Sequence, residues 1–173
     1  TDPTKRTRGG ITAFIVDRDT PGFSVERRIP MIGGVSTYEM SLTDCRVPAG
    51  NMLGREGYGF APMQGRLTTR RVQIASWSIG RAQRALDMLC DYVGQRKTFG
   101  VKLSERQTIQ NWVADAAIRI HAARLMTYEA AIRIDRGEDA RTQVSMIKVF
   151  ATEIAEEVID RTMQAFGAMG IDA

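Results

Sequence analysis

From Arg71 to Gly100 the chain reads RVQIASWSIGRAQRALDMLCDYVGQRKTFG. Within it Ala75, Ile79, Ala82, Leu86, Leu89 and Val93 follow one another at alternating steps of four and three, which lines them up along one side of a helix. The spacing predicts a long helix, running from Phe60, with Gly94 and Gly100 bracketing its end. The same period recurs downstream. Ile109, Trp112, Ala116, Ile120, Ala123, Thr127, Ala130 and Ile134 predict a second helix that begins at Ser104, where Ser104 and Gln107 have capping-box spacing, and stops at Gly137. Val144, Ile147, Ala151, Ile154 and Val158 predict a third from about Asp139, its end marked by Gly167 and Gly170. Such helices far exceed the average of about 11 or 12 residues. Short connections make neighbours antiparallel, so the expected fold class is mainly α, an up-down antiparallel bundle. Alanine-rich stripes let long helices approach closely, and such packing continues readily into subunit interfaces.

Upstream the period shortens to two, the signature of strands. Ile11 to Val16 is a short apolar run closed by the turn formers Asp17 to Gly22. Phe23, Val25 and Arg27 then alternate with polar neighbours until Pro30, and Tyr38, Met40 and Leu42 alternate up to Val47-Pro48. Three short strands cannot cover both faces of a sheet, so this region is expected to be a partial antiparallel β domain. The expected organisation is residues 1–50 as that partial domain, 51–59 as a linker and 60–173 as a helical domain.

The 173 residues are 43% hydrophobic and 25% charged, enough for a real core. No run approaches the roughly 20 apolar residues of a membrane span, and Thr1 to Gly10 is polar and basic rather than a signal segment. The expectation is a soluble protein without a membrane span, cytoplasmic or, in a eukaryote, of the mitochondrial matrix or peroxisome. Cys45 and Cys90 form no CxxC pair, and His121 has no second histidine, so no metal site is expected. The net charge of +4 favours polyanions, but most arginines alternate with carboxylates along the helices. A basic stripe with interleaved aromatics is missing, which argues against nucleic acid. The surplus suits a ligand carrying several phosphates.

Two segments invite a phosphate-site reading. Gly54 to Gly59 opens a helix, yet matches neither GxGxxG nor GxxxxGK[ST] and reads as a strand-to-helix joint. Gln95 to Gly100 sets Arg96, Lys97, Thr98 and Phe99 at a helix end. The cations there could answer the negative end of the helix dipole. Alternatively they form a phosphate clamp: Arg96 offers a planar fork, Thr98 a hydroxyl donor, and Phe99 a cover for an apolar ring.

Taken in order, Gly10 to Phe14, Asp19 to Phe23, Asp44 to Pro48, Arg71, Gly80, Ala82 to Asp87, Arg96 to Gly100, Gln107 and Gln164 to Gly167 resemble the acyl-CoA dehydrogenase family. The Arg-Lys-Thr-Phe-Gly element with a glutamine 11 residues after its arginine is the most specific part. The resemblance covers essentially the whole chain, from the end of the middle β domain through most of the C-terminal helical domain. The stretch Ser145 to Phe150 further resembles the branch whose animal members carry a fused kinase-like domain.

The resemblance implies an FAD enzyme that performs α,β-dehydrogenation of an acyl-CoA thioester in fatty acid metabolism and passes electrons to an electron-transfer flavoprotein. It implies that Arg96 and Thr98 hold the FAD pyrophosphate of a neighbouring subunit, with Phe99 packed nearby. Arg106 and Gln107 are then expected along the cofactor, and Gln164, Gly167 and Ala168 against its adenosine part. Thr68 and Arg71 are expected to touch the acyl-CoA, in a homo-oligomer that is a dimer or a dimer of dimers. Each has a plainer reading too: Gln107 as a capping residue, Gln164 as a solvated polar side chain, Arg71 as part of a basic turn with Arg66 and Arg70.

The family's catalytic glutamate follows the glycine-rich segment after the third helix, or in some branches precedes the arginine matching Arg71, where this chain has Arg70. No catalytic base is therefore expected among these residues, and the chain alone is expected to be an inactive fragment. The family's second glycine at the Gly167 pair is Ala168. The alternatives are an acyl-CoA oxidase of the same fold and a non-enzymatic basic helical interaction domain.

Overall fold

The computed structural model describes residues 2–172. They form two compact units, divided between Arg66 and Leu67.

In the first unit, β1 (Phe23–Pro30) pairs antiparallel with β2 (Ser36–Leu42), from Phe23 opposite Leu42 to Pro30 opposite Ser36, with a bulge between Val25 and Arg27. Gly33 and Gly34, both at positive φ, turn the chain between them. Tyr38, Met40 and Leu42 on one face and Thr37 and Glu39 on the other are all exposed, so neither face of this ribbon is covered among the described residues.

The run Ile11 to Val16 does not extend the sheet as expected. It makes only isolated bridges, Ile11 parallel to Tyr58 and Phe14 antiparallel to Met52. The reason is local: this run spends its backbone on the segment just before the first helix. Leu53 N–H donates to the Ala13 carbonyl at 2.8 Å, Gly59 N–H to the Ile11 carbonyl at 2.7 Å, and Gly57 N–H to the Thr12 hydroxyl at 2.9 Å. A Cβ at Gly59 would stand 2.3 Å from the Ala13 nitrogen. The glycines of this joint therefore serve close backbone approach, which accounts for them without a phosphate.

Three helices follow: α1 (Phe60–Gln95), α2 (Gln107–Asp135) and α3 (Arg141–Phe166). In the second unit they form an up-down bundle around one main core, where Ala75, Ile79, Ala82 and Leu86 of α1 meet Ile120 and Ala123 of α2 and Ile147 and Ile154 of α3. Every expected stripe residue of α1 and α3 is buried; on α2, Trp112 and Ile134 are half-buried. Thr162 Oγ1 donates to the Val158 carbonyl at 2.7 Å and the Ala85 carbonyl at 3.3 Å, tying α3 to α1. Arg119 pairs with Glu157, and Arg161 spans Glu157 and Asp115 at 2.5 and 3.8 Å, tying α2 to α3. Among the described residues no helix is long and apolar enough to cross a membrane.

The helix starts differ from expectation. Ser104 does not cap α2; it sits in a 3-10 turn, Leu103–Glu105, and its carbonyl accepts from Gln110 Nε2 at 3.0 Å. The N-cap of α2 is Arg106, so Gln107 is the first helical residue and closes no capping box. The partner of Glu105 Oε1 is instead the Lys102 N–H, at 3.2 Å. At α3, Asp139 accepts the Arg141 N–H at 3.1 Å and also grips its guanidinium.

Candidate functional site

Immediately after α1, the chain folds into a small hairpin, β3 (Lys97–Thr98) against β4 (Val101–Lys102). Its two-residue turn is Phe99-Gly100, with φ of +52° and +83°. Two positive φ angles match the mirror-image turn that suits strand twist, and Gly100 adopts it freely. Phe99 does not: a side chain in the left-handed region costs roughly 1–2 kcal/mol. Nor does its ring offset that cost by burial, being 99% exposed. What holds the hairpin is Arg106, whose Nη2 donates to the Thr98 carbonyl at 2.9 Å and to Thr98 Oγ1 at 3.2 Å. The Leu103 N–H adds a bond to the Arg96 carbonyl at 2.9 Å.

Beside the hairpin lies a cavity of about 450 Å³. Arg96 and Thr98 line it, as do Gln164, Gly167 and Ala168 from the end of α3 and the turn after it. Tyr92 and Phe166 also line it, their rings stacked with centroids 4.1 Å apart. Leu103, Ile109 and Trp112 complete an apolar floor. Gly167 sits at φ +63° and ψ −134°, a backbone region that a side chain would oppose, and this sends the chain into the 3-10 turn Gly167–Gly170.

The charge on the cavity lining comes from Arg96, with Arg106 behind Thr98. Arg96 is exposed and Arg106 half-buried, and neither has a carboxylate partner among the described residues. The Thr98 hydroxyl oxygen accepts from Arg106, which leaves its own proton available to a ligand. An unpaired fork, an unspent hydroxyl and an aromatic floor suit a phosphorylated ligand with a flat ring.

The acyl-CoA dehydrogenase C-terminal domain family model matches residues 57–173. The chain belongs to the acyl-CoA dehydrogenase family. It is 40% identical over 172 residues to (R)-benzylsuccinyl-CoA dehydrogenase of Thauera aromatica, which covers 99% of this chain and 42% of that protein. The butyryl-CoA dehydrogenase structure from Megasphaera elsdenii superposes with a TM-score of 0.91 at 35% identity, over 99% of this chain and 45% of that one. PigA, solved with FAD and proline, gives a TM-score of 0.90 at 27% identity, over 95% of this chain and 43% of that one. The chain thus spans less than half the length of these relatives.

In this family member the residues expected at the cofactor fall into two sets. Arg96, Thr98, Gln164, Gly167 and Ala168 share one cavity. Phe99, Arg106 and Gln107 do not line it: Phe99 projects outward, Arg106 stands behind Thr98, and Gln107 is exposed at the first turn of α2. Thr68 and Arg71, both half-buried, lie far up α1. Arg71 precedes Arg96 by 25 residues in one helix and its exit, roughly 37 Å at 1.5 Å per residue.

Sequence reasoning missed Tyr92, Phe166 and Trp112 as cavity residues. Their signal was present only in part: Tyr92 is one helical turn before Arg96, and Phe166 directly precedes Gly167. Among the described residues no cluster of side chains could hold a metal ion. A second hollow, of about 730 Å³, runs along α1 beside Trp77, Arg81 and Met88. Only α1 lines it, so it lacks the convergent polar groups of a binding site.

Proposed function

We propose that the chain is the C-terminal portion of an FAD-dependent acyl-CoA dehydrogenase, and that the cavity at the end of α1 receives the diphosphate of FAD. The observation that carries this reading is Arg96, a guanidinium without a carboxylate partner among the described residues, lining the same cavity as Thr98. Arginine presents parallel donors that match phosphate oxygens, and hydrogen bonds to charged groups contribute about 1.5–3 kcal/mol each. Gln164 and the backbone at Gly167 and Ala168 face the same cavity and supply polar contacts for the adenosine part. Tyr92 and Phe166 supply flat apolar surface for a ring. The FAD-bound relative of the same fold supports the choice of dinucleotide.

When bound, FAD supplies the acceptor for the hydride that leaves the β carbon of the acyl group. In the proposed arrangement this chain binds and orients. Arg96 and Thr98 fix the diphosphate, Arg106 fixes Thr98, and Arg71 with Thr68 meets the acyl-CoA near the other end of α1. Arg71 and Arg96 stand roughly 37 Å apart along α1 and its exit, so they would serve two separate positions of the bound ligands. The family resemblance supports a homo-oligomer in which a second copy of the chain completes each site. Reoxidation by an electron-transfer flavoprotein completes the proposed cycle.

The test is to purify the whole protein and give it an acyl-CoA with an artificial electron acceptor. The proposal expects a yellow protein that reduces the acceptor, and Arg96→Ala to lose the colour on gel filtration. A colourless protein that takes up no FAD would contradict it.

A further inference from the structure

Arg106 makes a double contact that the helix beginning there does not require. As the N-cap of α2 it accepts the Ile109 and Gln110 N–H groups at 3.0 and 3.1 Å, but through its backbone carbonyl, which any residue has. Its side chain goes elsewhere, to the carbonyl and hydroxyl oxygens of Thr98. It does not line the cavity, so Thr98 is its route to whatever binds there.

We propose that Arg106 is a positioning residue: by donating to both Thr98 oxygens it turns the Thr98 hydroxyl proton outward, as a preset donor to a bound diphosphate. The inference rests on the diphosphate reading of the cavity. Its physical basis is the inventory of one hydroxyl, a single proton and two lone pairs. An N–H aimed at Oγ1 occupies a lone pair and repels the proton from that side. Among the described residues Thr98 Oγ1 has no acceptor of its own, so the proton is not consumed within the chain. The bond to the Thr98 carbonyl fixes the strand that carries this hydroxyl, just before the strained Phe99-Gly100 turn. A donor held in place before binding loses little freedom when the ligand arrives.

The test is a double-mutant cycle on the whole protein, read as the dissociation constant of FAD from the apoprotein by flavin fluorescence. Arg106→Leu and Thr98→Val should each weaken binding about tenfold, and the double variant little more than either, because both remove the same donor. Arg106→Lys, which keeps the charge but not the fork, should recover only part of the loss. If the double variant shows the product of the two single effects, Arg106 and Thr98 act independently and the proposal is overturned. It is equally overturned if Arg106→Leu binds FAD normally while Arg96→Ala does not. Should Arg106→Leu fail to fold, judged by circular dichroism, the cycle is run with Arg106→Lys and the same non-additivity decides. Unchanged FAD affinity in Arg96→Ala would instead remove the diphosphate reading itself.

Discussion

The ring of Tyr92 lies on that of Phe166, centroids 4.1 Å apart and planes 16° from parallel, and so fastens the end of α1 to the end of α3 beside the candidate cofactor cavity. Offset-stacked aromatic pairs contribute about 0.5–1.5 kcal/mol beyond their area burial. Tyr92→Ala should therefore destabilise the helical unit by about 2 kcal/mol, once the lost burial is included. Thermal melting checks the stability, and FAD titration should show weaker binding, since the stack fixes Gly167 and Ala168 next to it.

Phe99 holds φ +52° with its ring in solvent, so its conformation costs stability that burial of the ring does not offset. Asparagine tolerates the left-handed region and is favoured before glycine in this turn. Phe99→Asn should stabilise the apoprotein by about 0.5–1 kcal/mol. It should also weaken FAD binding, if the exposed ring packs beside the cofactor of a second copy. Chemical denaturation and flavin titration measure the two effects separately.

At the start of α3, the Arg141 guanidinium, with the Arg141 N–H, holds the Asp139 carboxyl down to about 2 from its ordinary 3.8. A carboxylate whose pKa is lowered by folding stabilises the fold above its unfolded value, and that contribution fades as pH falls from about 4 through 2. Asp139→Asn should lower the melting temperature near neutrality, where Asp139 is charged. The gap between variant and parent should narrow as pH falls below about 4 and be small at pH 2, where the folded carboxyl is about half protonated. A gap of equal size at pH 2 and pH 6 would show that the charge is irrelevant.

Burial raises the Cys90 thiol pKa, and the nearby Asp87 and Asp91 carboxylates raise it further. Thiolate is the reactive form, so Cys90 should react slowly with a disulfide reagent at neutral pH although it is exposed. Asp87→Asn should speed the reaction a few-fold by removing one repelling charge. Rates measured across the alkaline range give the comparison directly.

The bundle was legible because its cause is periodic. The apolar stripes of α1 and α3 are buried residue for residue, and the alternation around Val25 and Met40 does form paired strands. Ile11 to Val16 departs from the expected strand because an apolar run shows that a segment is extended, not which neighbour takes its hydrogen bonds. Ser104 and Gln107 have capping spacing, but a 3-10 turn intervened and moved the cap to Arg106. At the site, Arg96 and Thr98 were legible as residue types able to grip phosphate. The Phe99-Gly100 hairpin was not, since phenylalanine is a poor signal for a positive φ. Tyr92 and Phe166 are 74 positions apart, and no local pattern announces their contact.

In the proposed site Arg96 grips the diphosphate of FAD. This grip is tested most directly by titrating the apoprotein of the whole enzyme, parent and Arg96→Ala, with FAD and with flavin mononucleotide, which has no diphosphate. The account predicts a loss of about tenfold or more in FAD affinity for Arg96→Ala and little change for the mononucleotide. Equal FAD affinity in parent and variant would contradict it.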